Sequence, residues 1–349
     1  RQMCIRDRDM EDAYLQYLDS LADCQWPSGQ LPCIAPTSVY GYNYQSGPTW
    51  DGALIFIPWQ LYRFTGKKEI PERYYEAMKK YMRYTQQISE DGICKSGLGD
   101  FLPDESQEVC PAGMILSCFV MRMAQIMEQI SALLQKGDEK EWKALADYVK
   151  AAIMRDYYGA CNRTESYLSC VLFFGLSENP EKEAKELAGI VRRKGYRAGG
   201  GIFGSVYTLE MLTRYGYQED ALKIAGQKEF PGWAFMLQNG GGTLWEHWSG
   251  KKGSLNHHMR SAVGAWMFKA LTGLVPEECE PGWSRIVLRP CFSDRVKEFS
   301  AWHNTPMGRV KIIRNGGRMC VELPDGISAG VYWKGSLCEI TGRQELQLW

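Results

Sequence analysis

The sequence predicts a mainly α-helical chain that ends in a small β domain. Apolar and amphipathic segments of helical length alternate between Met10 and Thr272, as paired inner and outer helices require. Long loops rich in glycine and aromatic residues precede the apolar segments, and short polar loops precede the charged ones. This alternation predicts a toroid of helical hairpins whose functional loops gather on one rim. After Pro276, short apolar runs separated by Gly-containing turns predict a small β-sandwich.

Each element follows from the local periodicity. Apolar residues at spacings of three and four predict helices over 10–24, 71–88, 112–134, 139–157, 167–175, 180–194, 205–215, 219–228 and 256–272. The apolar run ALIFIPWQLYRF contains Pro58 and predicts a helix that is kinked there or begins at Trp59. Short alternating or apolar runs predict strands over 283–290, 309–315, 318–324 and 328–334. We therefore predict a helical domain over 9–275 and a β domain over 276–349.

Composition restricts the kind of partner. The chain has 349 residues, 45% of them hydrophobic, and its 41 Lys and Arg balance 41 Asp and Glu. This balance argues against nucleic acid or an anionic membrane as the main partner and favours a neutral ligand. No apolar run approaches the roughly 20 residues of a membrane helix. The 12 cysteines are scattered without CxxC pairs, which argues against a zinc site and favours a reducing, cytoplasmic compartment.

The segment 240–265, GGGTLWEHWSGKKGSLNHHMRSAVGA, collects the residues best suited to a ligand site. Glu246 lies between Trp245 and Trp248, and a pyranose can stack on an indole ring while its hydroxyls bond to a carboxylate. The alternative is that both tryptophans belong to the core and Glu246 is a solvated loop charge. Asn256 and His257 follow a Lys-Lys-Gly turn, so we expect them to fold back toward Glu246.

Several segments together resemble the bacterial α-L-rhamnosidases of glycoside hydrolase family 78. They occur in the same order from about Asp12 to near the C-terminus, which makes the resemblance more specific than any single motif. The segments are GPTWDGALIFIPWQLY (47–62), GLGDFL (97–102), 201–204, FPGW (230–233), TLWEHW (243–248), SLNHHM (254–259), Arg289-Pro290 and 305–308. The resemblance implies an (α/α)6 six-hairpin toroid followed by a β-sandwich, and hydrolysis of a terminal α-linked L-rhamnose with inversion.

The resemblance also implies roles for individual residues. Inversion needs two carboxyl groups roughly 6.5–9.5 Å apart, one to protonate the leaving oxygen and one to activate water. Glu246 matches the family's general base, and His257 matches a histidine that binds rhamnose. Asn256 is expected to orient the loop. Trp50 and Phe101 fall where the family lines the sugar pocket with tryptophan, so Phe101 is a departure that we expect to reshape the subsite.

Two acidic residues near these rings have open roles. The family more often has Trp-Gly-Asp where this chain has Trp-Asp-Gly, so Asp51 either reaches the sugar or caps the next helix. Asp100 either bonds a sugar hydroxyl or closes its own turn. No metal is expected, because no pair of histidines with a carboxylate has ligand spacing on one helix face. No cofactor is expected either.

The family's general acid lies in a stretch that this chain does not show. The run Cys4 to Arg8 resembles part of that stretch but lacks the downstream Gly-Asp. We therefore assign no role to Asp7 or Asp9. Because the chain begins with Arg1 and not Met, we expect a fragment that lacks its first helical stretch or stretches. By itself it is then expected to show little or no hydrolysis.

Two other functions remain open at this stage. One is a different six-hairpin glycosidase or a polysaccharide lyase, which would need a Tyr or His base beside a site for acidic sugars. The other is a non-catalytic carbohydrate-binding barrel in which Glu246 only bonds a hydroxyl. The aglycone, the linkage preference and the oligomeric state are not predicted.

Overall fold

The computed structural model of the protein describes residues 10–37, 39–43, 46–240, 242–276, 280–283, 285–333 and 336–347. The run from Cys4 to Arg8 and Asp9, to which the sequence assigned no role, lie outside the described residues. Within them, no helix is both long enough and apolar enough to cross a bilayer.

Helical hairpins build the first part of the chain, as predicted. The helices are α1 (Glu11–Asp23), α2 (Pro48–Asp51), α3 (Ala53–Thr65), α4 (Glu69–Gln87), α5 (Ala112–Leu134), α6 (Glu139–Asp156), α7 (Glu165–Phe173), α8 (Pro180–Arg193), α9 (Gly204–Arg214), α10 (Gln218–Ala225), α11 (Trp233–Asn239) and α12 (Ala262–Thr272). Consecutive helices α3 and α4, α5 and α6, α7 and α8, and α9 and α10 pack as pairs. Because α7 packs on α9 and α9 packs on α12, the apolar helices form the inner layer.

Burial distinguishes inner from outer helices, because the inner helices are apolar on most sides and the outer helices on one side only. The inner helix α5 is apolar around most of its surface, and fourteen of its side chains are buried. The outer helix α8 buries only one stripe, which includes Ala184, Leu187 and Val191 at helical spacing, and carries most of its charges on the other side. Asn179 caps α8 through its side chain, which accepts the Lys182 N–H at 3.2 Å.

Two differences from the predicted helices concern where a helix begins, and a third is a helix that was not predicted. Helix α3 runs through Pro58 from Ala53, so a start at Trp59 was wrong. The last helix was predicted from residue 256, but its regular part begins at Ala262 after a 3₁₀ turn, His258–Arg260. Helix α11 was not predicted, because its seven residues are too few to show a helical period.

The C-terminal domain consists of two four-stranded sheets. A separate hairpin of β1 (Ser89–Glu90) and β2 (Ile93–Cys94) precedes α5. The strands of the C-terminal domain are β3 (Leu274–Pro276), β4 (Arg285–Leu288), β5 (Glu298–Thr305), β6 (Gly308–Asn315), β7 (Arg318–Glu322), β8 (Ser328–Trp333), β9 (Ser336–Thr341) and β10 (Arg343–Gln347). Their orders in the two sheets are β10-β7-β6-β5 and β3-β4-β8-β9. All neighbouring strands are antiparallel except the parallel pair β4 and β8.

The inner faces of the two sheets share one apolar core. Ile286 of β4 and Val331 of β8 pack in the same cluster as Ile312 and Val321 of the facing sheet, which confirms a β-sandwich. Phe64 at the end of α3 joins this cluster and lies edge-to-face with Trp283, with ring centroids 5.3 Å apart. The β domain is therefore packed against the toroid. Since β3 already begins at Leu274, we propose a domain boundary at 273, slightly before the predicted one.

Candidate active site

A tight turn folds the segment after Glu246 back onto it. The backbone N–H of Glu246 donates to the Ser254 carbonyl at 2.9 Å, and the His257 N–H donates to the Leu244 carbonyl at 2.8 Å. The Lys-Lys-Gly turn thus brings the SLNHHM segment alongside the TLWEHW segment, as the sequence predicted. The carboxylate of Glu246 and the imidazole of His257 lie on the same hairpin.

The two tryptophans beside Glu246 belong to the core. Trp245 is 5% exposed and Trp248 is 2% exposed. A Cβ on Gly240 would lie 2.3 Å from the Trp245 ring, and one on Gly250 would lie 2.6 Å from it. Only glycine at these two positions therefore leaves room for the buried indole. The expectation that the flanking indoles offer their faces to a sugar is therefore wrong. The core alternative is correct for both rings.

Glu246 itself is not part of that core. Its side chain is half-buried, and its Oε2 accepts the Ser254 backbone N–H at 2.9 Å. A Cβ on Gly253 would lie 2.3 Å from the same oxygen, and Gly253 has φ +70°. Within the described chain, the Ser254 N–H is the only hydrogen-bond donor to this carboxylate. One face of the carboxylate is thus held by the turn, and Oε1 stays free to accept a proton.

The His257 ring is oriented by its own backbone. Its Nδ1 accepts the Met259 N–H at 3.0 Å, so the neutral ring carries its proton on Nε2. The ring is partly exposed and stacks on His258 with centroids 5.1 Å apart. The Nε2–H can therefore donate to a hydroxyl. The neighbouring Asn256 has an exposed side chain, and its backbone N–H donates to Ser254 Oγ at 3.1 Å.

Trp50 and Phe101 form an aromatic wall on the rim. Their ring centroids are 5.9 Å apart in an edge-to-face arrangement, and Phe203 makes a similar contact with Trp50 at 5.7 Å. Both predicted rings are partly exposed. Unlike the tryptophans beside Glu246, they keep surface that a sugar can contact.

Asp51 points into the helical layer beneath this wall. Its Oδ2 accepts the Tyr81 O–H at 3.4 Å, and burial raises the pKa of Asp51 to about 8, although the Tyr81 bond opposes this shift. At neutral pH most of this carboxyl is protonated and can donate a hydrogen bond. The N-cap of α3 is Gly52, which has no side chain, so the predicted helix-capping alternative is not realised at that position.

Asp100 holds two loops together. It is 4% exposed, and its carboxylate accepts four hydrogen bonds: from Ser166 Oγ at 2.7 Å and from the backbone N–H groups of Gly201, Phe203 and Gly204 at 2.9 to 3.0 Å. These bonds use the usual acceptor capacity of a carboxylate. We therefore revise its predicted role. We propose that Asp100 fixes the Phe101 loop to the start of α9, in place of the two roles predicted from the sequence.

Contacts between loops connect the aromatic wall to the Glu246 hairpin. The Ile202 N–H donates to the Phe101 carbonyl at 2.9 Å, and the Trp248 indole N–H donates to the Gly200 carbonyl at 3.5 Å. Arg260, which sequence reasoning missed, donates from Nη2 to the Leu102 carbonyl at 2.6 Å. These hydrogen bonds connect the loop that carries Phe101 to the hairpin that carries Glu246 and His257.

Two residues important for this geometry were not predicted as site residues. Gly253 was recognised only as part of a turn, although its close approach fixes the Glu246 carboxylate. Arg260 is a single charge at the start of an apolar helical run, and this irregularity was the only signal available. In the described ranges, no three His, Cys, Asp or Glu side chains form a group that could hold a metal ion.

A helical-hairpin toroid with a carboxylate, an imidazole and exposed rings on one rim, followed by a β-sandwich, has the architecture of the six-hairpin glycosidases. The chain belongs to the bacterial α-L-rhamnosidases. Residues 6–271 match the family model for the bacterial α-L-rhamnosidase six-hairpin glycosidase domain, and residues 273–336 match the model for the C-terminal domain of these proteins. The resemblance found in the sequence is therefore confirmed.

Individual relatives agree with this assignment. An α-L-rhamnosidase of Formosa agariphila is 26% identical over 326 residues, which cover 86% of this chain and 35% of that protein. A solved Streptomyces avermitilis α-L-rhamnosidase complexed with L-rhamnose has the same fold, with TM-score 0.87, 20% identity, and coverage of 97% of this chain and 36% of that one. The α-L-rhamnosidase from Dictyoglumus thermophilum is similar at TM-score 0.82 and 28% identity, over 93% of this chain and 39% of that one. The chain thus spans little more than a third of each relative.

Proposed function

We propose that the protein containing this chain removes terminal α-L-rhamnose from rhamnosides by inverting hydrolysis. The observation that carries the proposal is the half-buried Glu246 carboxylate, which Ser254 holds through Oε2 and whose Oε1 has no hydrogen-bond donor among the described residues. A general base must be fixed in position yet have an acceptor atom available for the attacking water. Glu246 meets both requirements.

The rim residues supply the remaining functions of a sugar site. Trp50 and Phe101 offer apolar ring surface for one face of the pyranose. The Nε2–H of His257 donates to a hydroxyl, and Asn256 lies beside it on the exposed side of the hairpin. Asp51 is protonated at neutral pH because burial raises its pKa to about 8. Its carboxyl bonds Tyr81 beneath the rings, and we assign it no direct bond to the sugar. Such a site selects a neutral, hydroxyl-rich ligand.

We assign no general acid among the described residues. The inverting mechanism requires one on the opposite face of the sugar from Glu246. The expectation that the chain by itself has little or no hydrolytic activity remains a prediction. The test is to assay two purified samples side by side on an aryl α-L-rhamnoside: residues 1–349 alone, and the full-length polypeptide that contains them.

The proposed reaction is tested with the full-length polypeptide and a panel of aryl glycosides. We expect release of L-rhamnose from the α-L-rhamnoside and no activity on uronate polymers. Proton NMR during the first minutes should show the β anomer of rhamnose before mutarotation. Formation of an unsaturated uronate would identify a lyase instead, and binding of rhamnose without hydrolysis would identify a carbohydrate-binding barrel.

A further inference from the structure

Arg260 connects the loops that carry the predicted site residues. It is 1% exposed, and its guanidinium lies 3.8 Å from the centroid of the Trp248 ring. The Nη2 of the same group donates to the Leu102 carbonyl at 2.6 Å. The Arg260 carbonyl accepts the Trp233 indole N–H at 3.0 Å. One side chain therefore contacts the loop of Phe101 and the segment of Glu246, and it follows His257 in the chain.

This position is unfavourable for an arginine. Its Nε and Nη1 are buried and have no hydrogen-bond partner among the described residues, and unpaired buried donors destabilise a fold. Burial lowers the pKa of Arg260 to about 9, although the Asp100 charge opposes this shift. An apolar side chain of similar length would avoid both penalties. Stability alone does not explain an arginine here.

The atom that Arg260 binds belongs to a strained residue. Leu102 has φ +54°, a left-handed conformation that is unfavourable for a residue with a branched side chain. Leu102 directly follows Phe101, so its backbone conformation sets the direction in which the loop presents the Phe101 ring. The hydrogen bond from Nη2 fixes the Leu102 carbonyl. Backbone strain that persists beside a ligand site indicates that the site needs a nearby group, here the Phe101 ring, in a fixed position.

We propose that Arg260 is a positioning residue that sets the Phe101 loop relative to the Glu246 segment. It does so by stacking on Trp248 while it holds the strained Leu102 carbonyl. The inference rests on the proposed function, since it assigns Arg260 to the same sugar site. Arg260 makes no contact with substrate in this role and acts through Phe101 and Trp248.

The central variant is Arg260→Met in the full-length polypeptide. Methionine fills similar space without unpaired donors, so we expect the midpoint of chemical denaturation to stay unchanged or to rise. We expect kcat/KM on an aryl α-L-rhamnoside to fall about tenfold or more, with a raised KM from the misplaced Phe101 ring. Arg314→Met is the matched control, because Arg314 is also buried, at 2% exposure, but lies in β6 of the β domain. It should leave kcat/KM unchanged.

A second variant tests the part played by Leu102. Glycine accepts φ +54° without strain. In Leu102→Gly, the backbone conformation of the Phe101 loop should therefore depend less on the hydrogen bond from Arg260. In a double-mutant cycle, we expect Arg260→Met to reduce kcat/KM less in the Leu102→Gly background than in the wild type. Equal losses in both backgrounds would overturn the proposed link to Leu102.

Hydrogen exchange separates failure of this proposal from failure of the proposed function. In Arg260→Met, the amides of Phe101, Leu102 and Asp104 should exchange faster, while those of β6 stay as in the wild type. If the wild type hydrolyses no rhamnoside but this local change occurs, the positioning role stands and the proposed function fails. Unchanged exchange with unchanged kcat/KM would overturn the positioning role. A loss of activity that only parallels a loss of stability would also overturn it.

Discussion

Gly253 approaches the Glu246 carboxylate so closely that a methyl group on its Cα would lie 2.3 Å from Oε2. Its φ of +70° also disfavours any side chain. We expect Gly253→Ala to push the carboxylate away from Ser254 and to lower kcat about 10-fold or more. Stability should fall by about 1 kcal/mol from the backbone strain alone.

Gly242→Ala provides the control for that strain. Gly242 has φ +90°, but no heavy atom of the described residues lies within 4 Å of the point that a Cβ would occupy, so alanine there introduces strain without a clash. Steady-state kinetics and thermal unfolding of both variants separate the two effects. Equal activity in Gly253→Ala and Gly242→Ala would show that the close approach to Glu246 has no catalytic importance.

Asp100 should be important for stability. Asp100→Ala leaves the N–H groups of Gly201, Phe203 and Gly204 without their acceptor. We expect the free energy of unfolding to fall by roughly 3 kcal/mol, since each unpaired buried donor costs about 1–3 kcal/mol and the losses are not additive. Urea denaturation measures the change. Glu105→Ala is the control. Among the described residues Glu105 forms only an exposed ion pair with Lys252, so its loss should change stability by less than about 1 kcal/mol.

The buried carboxyl of Asp51 predicts a pH dependence of stability. Burial raises its pKa from 3.8 to about 8, so between these values the folded state holds a proton that the unfolded state has released. Asp51 therefore destabilises the fold increasingly as pH rises from about 4 to about 8. Asp51→Asn removes this effect. The melting temperature of the variant minus that of the wild type should rise over this pH range and then level off, whereas a constant difference would contradict the assigned pKa.

Much of the fold could be predicted because its helices are long and strongly patterned. Residues 112–134 were predicted as a helix with the same bounds that α5 has, since a helix apolar on most sides has to be buried. Short elements could not be predicted. Helix α11 and the last two strands, β9 and β10, have too few residues or too little apolar alternation for a periodic signal.

The site was only partly predictable, because sequence neighbours do not show which way side chains point. The hairpin that pairs Glu246 with the SLNHHM segment follows from the turn residues, and the structure contains it. The orientation of Trp245 and Trp248 depends on tertiary packing, and both rings point inward. Asp100 bonds the backbone of a loop about a hundred residues later in the chain, a contact that no local motif reveals.

The role of Glu246 as general base is the central claim, and Glu246→Gln in the full-length polypeptide tests it most directly. The amide keeps the shape of the carboxylate, and its oxygen can still accept the Ser254 N–H, but it cannot take a proton from water. We predict that kcat falls by roughly 100-fold or more, while the dissociation constant for L-rhamnose, measured by calorimetry, changes less than about threefold. Retained turnover, or rhamnose binding that is lost in proportion to turnover, would contradict the assignment.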